Sequence, residues 1–446
     1  MKKYILFAAA LALCLPLKGE QYLSLKACEE AALKNAPQLR ALASAADAAQ
    51  LAYDSIKSTM YPTINLEAGG SYTTEVPELE FDLPGFSKKM EFGDNWGYSA
   101  GPVLHYTIFD YGARSDQHKS AKLMYESKQQ DYEWGKKQVL LSARTAYFKV
   151  QQDLERMYLL TSQLEVAGKQ LRDVKSAFNA GAKSELDVTM ANKQVLSVLS
   201  QISAMRAATA ADLRSLFEVT LDNFGIDPAY PIDYRIKPTD AIKEGSAALR
   251  TDNVDDSLQY FAVYNYFSFD ESSPTLLSAD RLAEYYEKIA SSYTSALWPK
   301  ITFKAGAYWE YPNGPVIEDV FLGRGSLSLV MPLFEGGRTR SQAKEQRAFA
   351  ATAQAQKEVT YHNIKTMFDS AKDRLYSIGI ERDLAGKIIK DAAKTSDLTY
   401  SSYKAGAVTF LEVDNANFRL TESQINLVDL KIENLTRLAV IASLGK

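Results

Sequence analysis

Cysteine, histidine and proline are all sparse in this 446-residue chain, and each scarcity excludes something. Of two cysteines, Cys14 lies in the N-terminal apolar stretch, leaving Cys28 alone beyond it. No internal disulfide forms, so the fold stands on packing. The three histidines, His105, His118 and His362, are scattered and lack metal-ligand spacing. No Walker motif, nucleophile elbow or Gly-rich dinucleotide turn occurs, so the chain reads as no enzyme and calls for no cofactor and no metal. Charge of one sign is also lacking. At net −4 no basic excess exists to release counterions, which excludes nucleic acid as a partner. Beyond the N-terminus no run of about 18 uncharged apolar residues appears, which excludes a helical membrane protein.

What is present begins with an export signal. Lys2 and Lys3 precede an apolar stretch from Tyr4 to Leu17, ended by Lys18 and Gly19. This is a signal peptide over residues 1–19, too short for a spanning helix. Lipidation of Cys14 is the minority reading, because Leu13 stands where lipoprotein signals carry a small residue. The exact cleavage site stays open.

The chain also repeats itself. Phe178-Asn-Ala-Gly-Ala-Lys-Ser-Glu-Leu-Asp-Val188 returns as Tyr403-Lys-Ala-Gly-Ala-Val-Thr-Phe-Leu-Glu-Val413, and Ala191-Asn192 as Ala416-Asn417. The offset, Gly181 to Gly406, is 225 residues, and Phe109-Asp-Tyr-Gly112 returns at the same offset as Phe334-Glu-Gly-Gly337. Upstream the offset is 237: Pro37 matches Pro274, Leu39 matches Leu276, Tyr61-Pro62-Thr-Ile64 matches Trp298-Pro299-Lys-Ile301, and Gly69 matches Gly306. The 12-residue difference places a longer loop in the first half, between about 72 and 103. Matches in one order at two consistent offsets define an internal two-fold repeat.

Proline placement organises each half. None occurs from 103 to 227 or from 333 to 446, and proline inside a helix costs about 3 kcal/mol. Gly112 to Phe178 and Gly337 to Tyr403 are each 67 residues long. As helix, each would run about 100 Å. Val139, Ala143, Ala146, Val150, Leu154, Met157, Thr161, Leu164, Gly168, Leu171, Val174 and Phe178 recur with a mean period near 3.5, a coiled-coil seam. Ala-Gly-Ala then permits a reversal at 180–182 and at 405–407. Second helical runs follow, about Ser184 to Leu221 and Thr409 to Leu444.

The segments ahead of these hairpins alternate with period two. Ile64, Leu66, Ala68, Gly70 and Tyr72 share one face; Trp96 to Ile108, Ile301 to Tyr311 and Leu327 to Leu333 alternate likewise. Segments of roughly ten residues with one apolar and one polar face are the pattern of a transmembrane barrel, and terminal aromatics such as Tyr61, Trp96, Trp298 and Trp309 fit interfacial girdles. Four strands make a poor soluble sandwich, and lipid tolerates no open sheet edge. Several protomers are therefore expected to share one barrel.

At this point the sequence resembles the TolC family of outer-membrane efflux proteins, over nearly the whole mature chain from Ser24 to Lys446. The resemblance is carried by Asn35-Ala-Pro37-Gln-Leu39, the Pro-led strands, Pro332-Leu-Phe-Glu-Gly-Gly337 and the two Gly-Ala…Leu-Asp/Glu-Val segments. It implies a mixed α and β membrane protein: a homotrimer whose 12-stranded transmembrane β-barrel, four strands per protomer, is continuous with a 12-helix periplasmic α-barrel. On this plan residues 20–221 form the first repeat, with a helix, barrel strands at about 61–76 and 96–109, and a hairpin over 112–221. Residues 222–273, which match the family least well, form an equatorial linker. Residues 274–446 form the second repeat, with strands at about 298–311 and 323–334 and a hairpin over 337–446. Loops at about 74–95 and 312–322 would be extracellular.

The family's tunnel narrows just after the hairpin turns. Its gate carboxylate maps to Glu412, with Asp187 as the first-half equivalent. The second gate carboxylate maps to Asn415, a departure, and the adjacent Asp414 is the candidate to supply the missing charge. Such acidic rings favour cations. The plainer reading is that these are helix N-terminal acids favoured by the macrodipole. The two stand level for Asp187, and the gate is favoured for Glu412. A family arginine of the closed-state lock maps to Val408, while Tyr403 of the locking region is retained. Ala180-Gly181-Ala182 and Ala405-Gly406-Ala407 match the tips that meet a periplasmic adaptor. The implied role is a passive exit duct for efflux or type I secretion in the outer membrane of a Gram-negative-type bacterium, extending into the periplasm. Its partners would be outer-membrane lipid, the adaptor (membrane fusion protein) and an inner-membrane transporter. Drug, metal and polypeptide cargoes all stay open. The alternatives are a periplasmic adaptor, which would need a lipoyl-type domain interrupted by one hairpin, and a coiled-coil envelope structural protein, which would lack the strands.

Overall fold

A computed structural model describes residues 21–91, 93–226, 249–314 and 316–446. The expected signal peptide with Cys14, and residues 227–248 of the expected linker, lie outside the described residues. The described residues divide into two compact units, one comprising residues 21–40, 133–226, 249–273 and 362–446, the other 41–91, 93–132, 274–314 and 316–361. No helix among the described residues is long and apolar enough to cross a membrane.

The second unit carries a four-stranded antiparallel sheet. Its strands are β2 (Thr63–Tyr72), β5 (Trp96–Phe109), β7 (Lys300–Tyr311) and β8 (Val320–Val330), in the order β2-β5-β7-β8. Register pairs Ala68 with Ala100, Leu104 with Ala305 and Phe303 with Leu327. Because the pleat alternates, this register stacks the apolar residues of all four strands on one side. That side is bare: Leu66, Ile64, Phe321, Leu327 and Trp96 are 65–80 % exposed, a patch far beyond what a soluble monomer leaves uncovered. The polar side carries its own pairs. Glu67 meets His105 Nε2 at 2.8 Å and Lys304 Nζ at 3.1 Å, and Glu310 meets Arg324 at 2.8 Å. Strands β2 and β8 are the sheet's two edges.

The expected loop at 74–95 is more ordered than the sequence reading allows. It holds a hairpin of β3 (Glu78–Leu83) and β4 (Phe86–Glu91), closed at Pro84-Gly85. Strand β2 stops at Tyr72 rather than near 76. Strand β8 begins at Val320, inside the loop expected to run to 322, and ends at Val330, so Met331 and Leu333 lie beyond it. Helices α2 (Pro37–Ser58) and α6 (Pro274–Ser295) lead to the strands. The His118 ring lies 5.0 Å from that of Tyr53.

The first unit is helical, with a small parallel pair of β1 (Gln21–Leu23) and β6 (Leu249–Thr251). Its long elements belong to α3 (Ala113–Asn179), α4 (Glu185–Thr220), α7 (Arg338–Lys404) and α8 (Phe410–Leu444). The two longest are 67 residues each. Buried side chains follow coiled-coil steps: Ile364, Phe368, Ala371, Leu375, Ile378 and Ala385 on α7, and Val139, Ala143, Val150, Met157 and Val174 on α3. Phe178, expected in the α3 seam, is 41 % exposed because the turn begins there. Between the expected halves lie α5 (Val254–Phe261) and a 3₁₀ turn over Ala262–Tyr266. Phe261 is fully buried beside Phe148. Asp252 accepts from the Leu25 amide, which opens helix α1 (Leu25–Asn35), and from the Tyr147 hydroxyl of α3. Cys28 is wholly buried, and burial pushes its thiol up to about 12, so it is an inert packing residue.

Two features yield measurable consequences. A Cβ at Gly101 would meet the Ala307 carbonyl oxygen at 1.9 Å, whereas one at Gly323 meets nothing. Gly101→Ala is expected to cost about 1–3 kcal/mol and Gly323→Ala almost nothing, as read by urea or thermal unfolding. On α3, Asp153 is buried beside Asp212 of α4, and burial first, then that neighbouring carboxyl, raise its own carboxyl to about 7. A carboxyl whose pKa is raised on folding stabilises the fold most when protonated in both states. The thermal midpoint should therefore fall as pH rises from about 4, the unfolded value, to about 7. Asp153→Asn should flatten that fall.

Candidate functional site at the helical turns

The two hairpin turns share one backbone solution. At the first, the Gly181 amide donates to Phe178 O at 2.8 Å and the Ala182 amide to Ala177 O at 2.8 Å. At the second, the Gly406 amide donates to Tyr403 O at 3.0 Å and the Ala407 amide to Ser402 O at 2.9 Å. Gly181 and Gly406 take φ of +74° and +83°. This is the Schellman ending, which uses the left-handed region that glycine enters without a Cβ penalty. Ala180, Gly181, Ala182, Ala405 and Gly406 are exposed around these reversals.

Behind the turns, all four long helices meet in one apolar cluster: Val174 of α3, Ala191 of α4, Tyr403 of α7, and Phe410 and Val413 of α8. The Tyr403 and Phe410 rings are 5.4 Å apart and edge-on. Tyr403 is only 3 % exposed, and burial, with Asp187 nearby, pushes its phenol up to about 12. Further along the helices a polar layer crosses the packing. Ser396 donates to Asn417 Oδ1 at 2.7 Å, and Asn417 donates to Gln170 Oε1 at 2.9 Å.

The candidate acids fall into three environments. Glu412 and Asn415 are both exposed and lie three residues apart on α8, hence on one stripe. Asp414 is two residues from Glu412, about 200° around the helix. It is half-buried, and burial raises its carboxyl against the opposing pull of Lys193. It does not share the stripe. Asp187 is engaged locally: its carboxylate accepts from the Ser184 amide at 3.1 Å and the Ser184 hydroxyl at 2.7 Å, closing a capping box. Glu412 has only a 3.4 Å contact to the Thr409 hydroxyl, and Thr409 makes no side-chain cap. The equivalent acids of the two halves therefore differ in freedom.

The sequence reading missed four residues here, Lys183, Tyr400, Asp173 and Lys404. Lys183 donates to Tyr403 O at 2.7 Å, the Tyr400 hydroxyl donates to Asp173 at 2.7 Å, and Lys404 lies 4.6 Å over the Tyr400 ring. These residues and Tyr403 line a cleft of about 300 Å³. The signal for Lys183 lay in the repeat, where its counterpart at offset 225 is the uncharged Val408.

With this geometry in hand, comparison with known proteins is informative. Residues 30–220 match the family described as Outer membrane efflux protein. Outer membrane protein TolC of Vibrio cholerae is 23 % identical over 414 residues, covering 90 % of this chain and 86 % of that protein. The solved structure of CusC superposes with a TM-score of 0.74 at 15 % identity, covering 96 % of this chain and 93 % of that one. The outer membrane protein VceC from Vibrio cholerae gives 0.70 at 16 %, covering 94 % and 96 %. The fold is thus that of the outer-membrane efflux channels. In sequence the chain is similar to the TolC outer membrane proteins, in keeping with the resemblance of its motifs.

The capping box makes a direct prediction. Ser184→Ala, which removes one side of it, should destabilise the helical unit by about 1 kcal/mol, while Thr409→Ala, at a cap without a side-chain bond, should be near neutral. Chemical denaturation of the two variants side by side checks this.

Proposed function

We propose that this chain is one protomer of a homotrimeric exit duct for efflux or type I secretion. It works passively, hydrolyses nothing, and joins a periplasmic adaptor and an inner-membrane transporter. The observation that carries this reading is the sheet. Among the described residues it has four strands, one bare apolar face and two unpaired edges. Alternation makes β2 and β8 run in opposite directions, so β8 of one copy can pair antiparallel with β2 of the next. Three copies would close a 12-stranded barrel against lipid, and their four long helices each would supply a 12-helix tunnel through the periplasm. Each protomer on this plan divides into repeats at 20–221 and 274–446.

In this reading the constriction lies just behind the turns. Glu412 is the charge that faces the passage, Asn415 lines it beside Glu412, and Asp187 and Tyr403 hold the wall. Asp414, on the far side of α8, contributes through the wall and not the lumen. Three Glu412 carboxylates in a ring favour cations. Ala180-Gly181-Ala182 and Ala405-Gly406-Ala407 are the tips offered to the adaptor.

Single-channel conductance in planar bilayers tests the proposal. Wild type should show small, cation-selective openings, and Glu412→Ala should enlarge them several-fold and reduce the selectivity. Conductance unchanged by the substitution would keep the duct and remove Glu412 as its constriction. A well-folded oligomer that forms no channels would favour an envelope scaffold instead.

A further inference from the structure

Lys183 has no part in the gate as described so far. We infer that it is a positioning residue of that gate: its ammonium group clasps the first hairpin's turn to the end of α7 and so holds the two turns together in the closed state. The inference rests on the gate reading proposed above.

Three observations carry it. Lys183 Nζ donates to the Tyr403 carbonyl at 2.7 Å and lies 3.9 Å from the centre of the Tyr403 ring. One cation thus grips both the backbone and the side chain of a residue 220 positions away. The Tyr403 carbonyl, which also accepts from the Gly406 amide, is among the last of α7, where the helix dipole favours a positive charge. The side chain is half-buried, which limits screening, and a cation over an aromatic face gains most where water is partly excluded.

The clasp is one-sided. The last turn of α3 carries no basic residue, and the counterpart of Lys183 in the second turn, Val408, packs against the apolar cluster instead. Lys404, the other cation of the cleft, is directed to Asp173, at 3.9 Å, and to the Tyr400 ring. Parting the turns would therefore break the hydrogen bond and the cation–ring contact of Lys183 in one motion. Tyr403 would keep Phe410 and Val413 of its own hairpin and lose Val174 and Ala191 of the other.

The test compares wild type, Lys183→Met and Lys183→Arg by single-channel recording, with the heat resistance of each oligomer measured alongside. Methionine keeps the stem and removes the cation; arginine keeps a donor and a cation over the ring. The expected result is a rise on the order of tenfold in the fraction of time spent in the wider state for Lys183→Met, restoration by Lys183→Arg, and equal heat resistance in all three. Lys183→Gln replaces the methionine variant should that one fail to assemble. An open fraction unchanged in an intact Lys183→Met or Lys183→Gln oligomer overturns the clasp and leaves the duct standing. Failure of arginine to restore the wild-type behaviour also overturns it, because the role would then be packing. Absence of channels in wild type itself overturns the duct reading and the clasp with it.

Discussion

In hydrocarbon an unpaired backbone amide or carbonyl has no water to turn to, and this constraint governs the rest of the molecule. The sheet satisfies it internally along β5 and β7 and fails it along β2 and β8. In the proposed barrel such a sheet would be completed by the strands of neighbouring copies. Neither its bare apolar face nor its open edges make sense in water, and the edges make no sense in lipid until another strand covers them. The polar face shows the complementary economy. Glu67, His105, Lys304, Glu310 and Arg324 are paired among themselves, so that side carries opposite charges in balance.

The helical unit answers a different requirement. Its long helices bury large residues such as Phe148, Ile202, Ile378 and Leu435 alongside small ones such as Ala143, Ala191 and Ala371, and the small ones permit close approach. The Ser396–Asn417–Gln170 layer interrupts the apolar sequence of contacts, and a buried polar layer of this kind penalises any slipped register in which its partners separate. Arg374 adds to this by bridging Glu433 of α8 at 2.7 Å.

Much of this was legible in the sequence because it depends on local rules. Proline-free stretches of more than 100 residues became the long helices, and period-two segments became strands with the anticipated faces. The β3–β4 hairpin was passed over although Pro84-Gly85 is a turn signal, since its strands are only six residues each. The side on which Asp414 falls follows from helical geometry alone. What could not be read was the company each residue keeps across long sequence separations. The capping box over Asp187 is local, but the approach of Lys183 to Tyr403 is created by the packing of one hairpin against another. The exposure of Phe178 likewise reflects where the chain reverses, which a seam pattern does not announce.

The near-identity of the two turns has a consequence for symmetry. A backbone drawn twice per chain, with the same Schellman bonds and the same glycine conformation, would give the three copies of the proposed trimer an approximate six-fold axis at that end. Side chains do not respect it: one turn presents a lysine where the other presents a valine. Any ligand that reads only main-chain shape would find six equal berths there. One that reads charge would find three of one kind alternating with three of another, and could fill them at two different affinities.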